Sequence, residues 1–288
     1  MEVKLLDPGT APAPSPPRTA LFPATDSQVE LYQVAEWASF GVRAFFTGRR
    51  GGVSAGPYSS LNLAYHVGDD EVAVRENRRR VGEDTGFPWE TWVSAGQVHG
   101  RQVAVVGAKD QGRGAVTHST ALPQTDGMVT NAPGVVLAAY FADCVPVLIF
   151  DPENRVIGLA HAGWRGTVLK TPQAVLEVMC RSFGTRAESC QVCLGPHIGP
   201  CCYQVGEEVR TAGEQAFGPA WGQVWRYREG KGYLDLAGAN VLALAEAGVV
   251  PGNIQVADAC TSCHHQAFFS YRAAGGVTGR FATLIGLA

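Results

Sequence analysis

Beyond residue 40 the apolar and polar positions alternate between strand-like and helix-like stretches. Apolar, β-rich runs fall at Arg43–Thr47, Val103–Val106, Val135–Phe141, Val145–Phe150, Val156–His161, Gln191–Leu194 and Phe281–Ile285, and each has the length and residue types of a strand. Helical spacing covers Val72–Glu83, Thr167–Phe183, Gly206–Phe217 and Leu236–Gly248. The last is rich in Ala and Leu and stops at Gly248 ahead of Pro251, a sound helix end. The mixture predicts an α/β or α+β sandwich. No repeat and no linker interrupts 25–288, so one domain is expected there. Prolines at 8, 12, 14, 16 and 17 remove backbone donors and disfavour helix before them. Residues 1–24 are therefore expected to form a flexible tail.

Composition narrows the class. Of 288 residues, 46% are apolar and 17% charged, against a globular average of about 25% charged. That is a chain with a large core to bury. With 23 basic and 26 acidic side chains there is no footprint for nucleic acid or for an acidic membrane surface. No apolar run approaches the roughly 18 residues of a membrane-spanning helix. The first residues, MEVKLLDPGT, break their apolar stretch too early for a secretory signal. A cytoplasmic, reducing setting is the expectation, with the eight cysteines as thiols or metal ligands.

Three chemically capable residues lie at predicted strand ends. His99 sits in QVHG, Cys144 in ADCVP between two apolar runs, and His161 in AHAGWRG where a strand gives way to a Gly-bounded turn. Strand ends on a rigid scaffold are where functional residues concentrate. Two imidazoles and a thiolate suit Zn²⁺, and three protein ligands with an open position is the catalytic zinc pattern. The spacing alone leaves a second reading open. Cys is also a small hydrophobe of cores, and separations of 45 and 17 residues match no short zinc motif.

Around these residues the chain resembles the laccase-domain family, also called polyphenol oxidase or peptidoglycan-editing factor, several of whose members are purine nucleoside phosphorylases. The matching segments are RRGGVSAGPYSSLNL, QVHG, DGMVT, ADCVPVLIFDP, GLAHAGWRGT, GPHIGP and FFSYRAAGGVTGR, in the family's order and across about residues 40–288. The resemblance implies a single-domain layered αββα sandwich. It implies His99, Cys144 and His161 as zinc ligands. It also implies phosphorolysis of adenosine, inosine, guanosine or methylthioadenosine, together with adenosine deamination.

Each reaction asks for particular groups. For deamination, zinc supplies a water of lowered pKa for attack at C6 of adenine. Asp143, next to Cys144, is the candidate proton carrier, or else a turn residue. Phosphorolysis needs cationic donors for phosphate, and Arg49 and Arg165 are candidates because an Arg fork binds phosphate with two hydrogen bonds. Asn62 could meet ribose or base, and Phe268 or Phe269 could stack on a purine or lie in the core.

Two other chemistries use the same residues. Cys144 with His161 or His99 could form the thiolate pair of a hydrolase that edits peptidoglycan precursors. A His₂Cys set also takes Cu²⁺, as a copper-dependent, laccase-like oxidase would require. Seven histidines without a His-x-His motif argue against a multicopper site. The expected partners are thus a nucleoside and phosphate, with no nucleic acid and no membrane.

The remaining cysteines carry no expected site. Cys260-Thr261-Ser262-Cys263-His264 fits the haem-attachment pattern, which requires export. Cys190-x-x-Cys193 lies far from Cys260-x-x-Cys263 compared with the roughly 15–20 residues of a zinc ribbon. Cys201-Cys202 reads as a pair of buried thiols. His197 stays outside the metal set, and Trp164 reads as packing.

Overall fold

The computed structural model describes residues 18–19 and 27–288. In chain order the strands are β1 (Arg18–Thr19), β2 (Leu31–Gln33), β3 (Val42–Thr47), β4 (Trp92–Ser94), β5 (Val103–Val105), β6 (Gly127–Thr130), β7 (Val136–Phe141), β8 (Val145–Asp151), β9 (Val156–Ala162) and β10 (Gln191–Leu194). They continue as β11 (Gln204–Val205), β12 (Trp225–Arg228), β13 (Lys231–Leu234), β14 (Ile254–Ala257) and β15 (Phe281–Leu287). The helices are α1 (Glu71–Thr85), α2 (Trp164–Val168), α3 (Thr171–Phe183), α4 (Glu207–Phe217) and α5 (Leu236–Glu246). The expected tail lies outside the described residues except for β1, which pairs in parallel with β14.

Two sheets carry the fold. A seven-stranded sheet runs β1-β14-β10-β8-β9-β6-β5, and a five-stranded sheet runs β2-β3-β15-β7-β4. A small sheet, β11-β13-β12, stands apart. Side chains alternate along a strand, and the alternation sorts the core. From β8, Val145, Val147 and Ile149 face the layer of α3 and α5, while Leu148 and Phe150 face the other sheet. From β7, Leu137, Ala139 and Phe141 meet them in the same inter-sheet core. Val136, Ala138 and Tyr140 turn to the outer core, where α1 contributes Val81. The result is the layered αββα sandwich. Strands covered on both faces read as continuous apolar runs, so β7, β8, β9 and β15 fall where the apolar pattern places them.

The expected helix Thr167–Phe183 is two helices. Lys170 adopts φ 56° between them, and Thr171 and Pro172 open α3. The Thr171 hydroxyl donates to the carbonyl oxygens of Gly100 at 2.7 Å and Gly166 at 3.0 Å, tying the break to the loop that carries His99.

Candidate metal centre and cavity

Two chain crossings between the sheets build the site. The segment from β4 to β5 leaves the five-stranded sheet and enters the seven-stranded one, and so does the turn from β7 to β8. The first crossing carries His99 and the second carries Asp143 and Cys144. His161 lies near the end of β9, opposite Pro146 of β8. The ligand atoms of His99, Cys144 and His161 all lie within 4.8 Å of one another, and the two imidazole centroids are 4.8 Å apart. His161 is buried, Cys144 half-buried and His99 exposed, so the cluster is closed on the core side and open outward.

Asp126, just ahead of β6, organises this cluster. Its Oδ1 accepts from the backbone N–H of His99 at 3.0 Å and lies 2.8 Å from His161 Nδ1. Its Oδ2 accepts from the N–H groups of Val98 at 3.1 Å and Gly100 at 2.7 Å. These bonds hold His99 at φ 61°, a region that L residues adopt at a cost. With Nδ1 of His161 committed to Asp126, Nε2 is the atom left for Cys144 or a metal, the carboxylate–histidine–metal arrangement. Sequence reasoning passed over Asp126, although it is the acid of the DGMVT segment.

Charge is balanced within the cluster. Burial opposes a Cys144 thiolate, but the facing His161 and His99 rings outweigh it and bring the thiol below its ordinary range. Burial likewise opposes charge on His161, and there Cys144 and Asp126 prevail and raise the imidazole. Asp126 is held low by the same partner and by the backbone donors, against the effect of burial. Each group thus shifts the other toward its charged form, thiolate for Cys144 and imidazolium for His161.

Gly163 permits the approach. A Cβ at this position would sit 2.8 Å from Cys144 Sγ and 2.9 Å from His99 Cδ2, closer than carbon tolerates.

The donor set fits one metal ion. Two nitrogens and a sulfur, with a carboxylate behind one imidazole, are borderline-soft ligands suited to Zn²⁺ or copper. Among the described residues no further histidine joins this group.

The cluster opens into a cavity of about 540 Å³, a size that suits a small organic ligand. Tyr140, Trp164, Tyr203 and Tyr271 give it aromatic walls, and Arg165, Arg272 and Arg280 give it cations. His66 and Gln97 also line it. The Arg165 guanidinium is 4.2 Å above the Trp164 ring. Trp164 thus lines the cavity rather than only packing beside it.

The other sequence candidates are distributed unevenly. Asp143 lines the cavity at φ 88°. Its Oδ1 accepts from Thr261 Oγ1 at 2.6 Å and its Oδ2 from the Arg272 N–H at 2.7 Å, so it anchors the 261–272 wall. Arg165 lines the cavity as well. Arg49 and Asn62 are not among its lining residues. The Arg49 guanidinium bonds the carbonyl oxygens of Ser59 and His265 and lies over Phe269. Asn62 is fully buried and bonds Ala64, Asp69 and the Arg280 N–H. Phe268 and Phe269 belong to the inter-sheet core. Tyr203, Tyr271, Arg272 and Arg280 were not singled out by sequence reasoning. The last three lie within the FFSYRAAGGVTGR segment, whose aromatic and basic residues are the signal that could have found them.

Comparison with known proteins agrees with this architecture. The chain is 42% identical over 247 residues to purine nucleoside phosphorylase YlmD of Geobacillus stearothermophilus, covering 85% of this chain and 90% of that one. It is 36% identical over 241 residues to adenosine deaminase RL5 from an unknown prokaryotic organism, covering 83% and 92%. The crystal structure of YlmD from Geobacillus stearothermophilus superposes with a TM-score of 0.88 at 39% identity, over 93% of this chain and 98% of that one. A family model for multi-copper polyphenol oxidoreductase laccase matches residues 43–288, and the chain belongs to that family.

Proposed function

We propose that the protein is a zinc-dependent purine nucleoside enzyme. In this reading it catalyses phosphorolysis of adenosine, inosine, guanosine or methylthioadenosine, and deamination of adenosine. The observation that carries the proposal is the placement of a His₂Cys cluster at the floor of a cavity whose walls combine aromatic rings with arginines. Flat rings suit a purine base and guanidinium forks suit phosphate. The names of the relatives, one a purine nucleoside phosphorylase and one an adenosine deaminase, support the same substrate class.

His99, Cys144 and His161 would hold the zinc, which supplies Lewis acidity and a water of lowered pKa. Arg165 and Arg280 would bind phosphate, whose oxygen forms the bond to C1′ as the C1′–N9 bond breaks and its electrons pass into the purine. In deamination, water adds at C6 and ammonia leaves. Asp143 would carry the proton. Each of its oxygens accepts one hydrogen bond from the protein and has capacity for another. The bonds from Thr261 and Arg272 would keep it in place.

One observation favours a second reading. Cys144 Sγ lies within 4.8 Å of the nearest ring nitrogen of His161, with the thiol shifted down and the imidazole up, a pairing that a cysteine hydrolase uses, such as one editing peptidoglycan precursors. Product chromatography separates the two. Zinc-quantified protein incubated with adenosine should give adenine and ribose 1-phosphate only when phosphate is present, and inosine regardless of phosphate. Both should vanish in Cys144→Ala. Absence of turnover by zinc-replete protein, with acylation of Cys144 by a muramyl peptide, would overturn the proposal in favour of the hydrolase.

A further inference from the structure

A second cysteine cluster lies outside the catalytic candidates. Cys201 and Cys202 follow β10, in the turn that opens with His197 and Gly199, and Cys260 and Cys263 follow β14. The strands β10 and β14 are parallel neighbours, so both turns leave the seven-stranded sheet at the same end of its strands. The pairing continues past the strand ends as a bridge between His197 and Cys260. All four Sγ atoms lie within 4.8 Å of one another. Cys263 Sγ is 3.4 Å from both Cys201 Sγ and Cys202 Sγ. Cys201 and Cys263 are exposed, which corrects the expectation of buried thiols at 201–202. Cys190 and Cys193, the other C-x-x-C, are buried in and beside β10 and take no part.

We infer that Cys201, Cys202, Cys260 and Cys263 form a tetrathiolate site for a structural Zn²⁺. Tetrahedral coordination at a Zn–S distance of about 2.3 Å places the sulfurs about 3.8 Å apart, within the spread of this cluster. Cys260-x-x-Cys263 supplies the i, i+3 half of a zinc knuckle. The backbone N–H of Gly199 donates to Cys260 Sγ at 3.2 Å, the kind of bond that steadies thiolate charge on a ligand. Four sulfur donors in tetrahedral reach select Zn²⁺ or iron over harder ions. The expected redox setting keeps such thiols reduced.

The position of the site assigns its role. It joins the turn that carries Tyr203 to the segment that carries Tyr271 and Arg272, and all three residues line the cavity. The Arg272 guanidinium already bridges them by donating to the Cys202 and Gln204 carbonyl oxygens. Next to Cys260, Thr261 donates to Asp143. A zinc ion here would fix the wall on which Asp143 depends without touching substrate.

Elemental analysis tests this on the full chain purified from zinc-replete cells. Wild type should hold about two zinc ions per chain, one for each cluster. The double variant Cys201→Ser/Cys263→Ser should hold one, and Cys144→Ala should also hold one. Cobalt loading of Cys144→Ala, which leaves only the second cluster intact, should give the intense thiolate-to-cobalt charge-transfer bands of a four-sulfur site. The inference is overturned if Cys201→Ser/Cys263→Ser holds as much zinc as wild type, if Cys144→Ala holds none, by iron in place of zinc, or by an intact mass lower by two hydrogens that shows Cys263 disulfide-bonded to Cys201 or Cys202.

Discussion

His161 Nδ1 lies 2.8 Å from Asp126 Oδ1, the oxygen that also accepts the backbone N–H of His99. One carboxylate therefore sets the ring of one candidate ligand and the main chain of another. Asp126→Asn keeps the size and removes the charge. The neutral amide no longer favours the His161 tautomer and can accept fewer of the four donors. Second-sphere losses of this kind cost about 10–100-fold in metal affinity. Competition with a chromogenic chelator should show that loss for Asp126→Asn in a protein that is still folded by circular dichroism. Unchanged affinity would remove Asp126 from the metal site.

Gly163 is required by space and not by backbone angle. Its φ of −74° suits any residue, yet a Cβ meets Cys144 Sγ and His99 Cδ2 below 3.0 Å. Gly163→Ala should lose metal and nucleoside turnover together. Overpacking of this kind costs about 1–3 kcal/mol of stability, read as a lowered Tm. Gly222→Ala, whose Cβ meets nothing within 4 Å, is the control and should leave both properties unchanged.

Asp151 closes the hairpin between β8 and β9, which brings Cys144 and His161 together. Its Oδ1 accepts from the N–H groups of Glu153 at 2.9 Å and Asn154 at 3.2 Å, and its Oδ2 from Asn154 Nδ2 at 2.9 Å. Burial would raise this carboxyl, but the donors outweigh it and lower its pKa from the ordinary value of 3.8. A carboxyl depressed in the folded state stabilises the fold above its unfolded pKa. It loses that contribution as pH falls through the folded value. Asp151→Asn should therefore be less stable than wild type at neutral pH, by about 1–3 kcal/mol for hydrogen bonds to a charged group. The gap in Tm should narrow as the pH drops below the ordinary value. A gap that is independent of pH would show that the bonds do not depend on the charge.

How much of this was legible in the sequence depended on what covers each segment. Strands such as β8 and β15 are sheathed on both faces, so their apolar runs stand out. The small sheet of β11, β12 and β13 is half exposed and includes WRYR, a stretch with no apolar signature. Lys170 breaks the long helical pattern because Thr171 bonds back to the His99 loop, a contact made by the fold rather than by local propensity. Similarly, His99, Cys144 and His161 are visible as reactive residues at strand ends, but their meeting depends on two sheet-to-sheet crossings. Arg49 and Arg165 look alike in sequence, yet one is spent on carbonyl oxygens and the other faces the cavity. The cysteine quartet was hidden because its halves come from the ends of two strands that pair in space.

The central claim is that the His99–Cys144–His161 cluster holds a metal on which nucleoside turnover depends. The most direct measurement is turnover of adenosine before and after metal removal. Wild type would be stripped with a strong chelator, assayed with adenosine and phosphate, then reconstituted with one zinc equivalent at a time. The account predicts that adenine and inosine formation disappear with the metal and return when zinc refills this cluster, with no return in Cys144→Ala. Full turnover by metal-free wild type would contradict it.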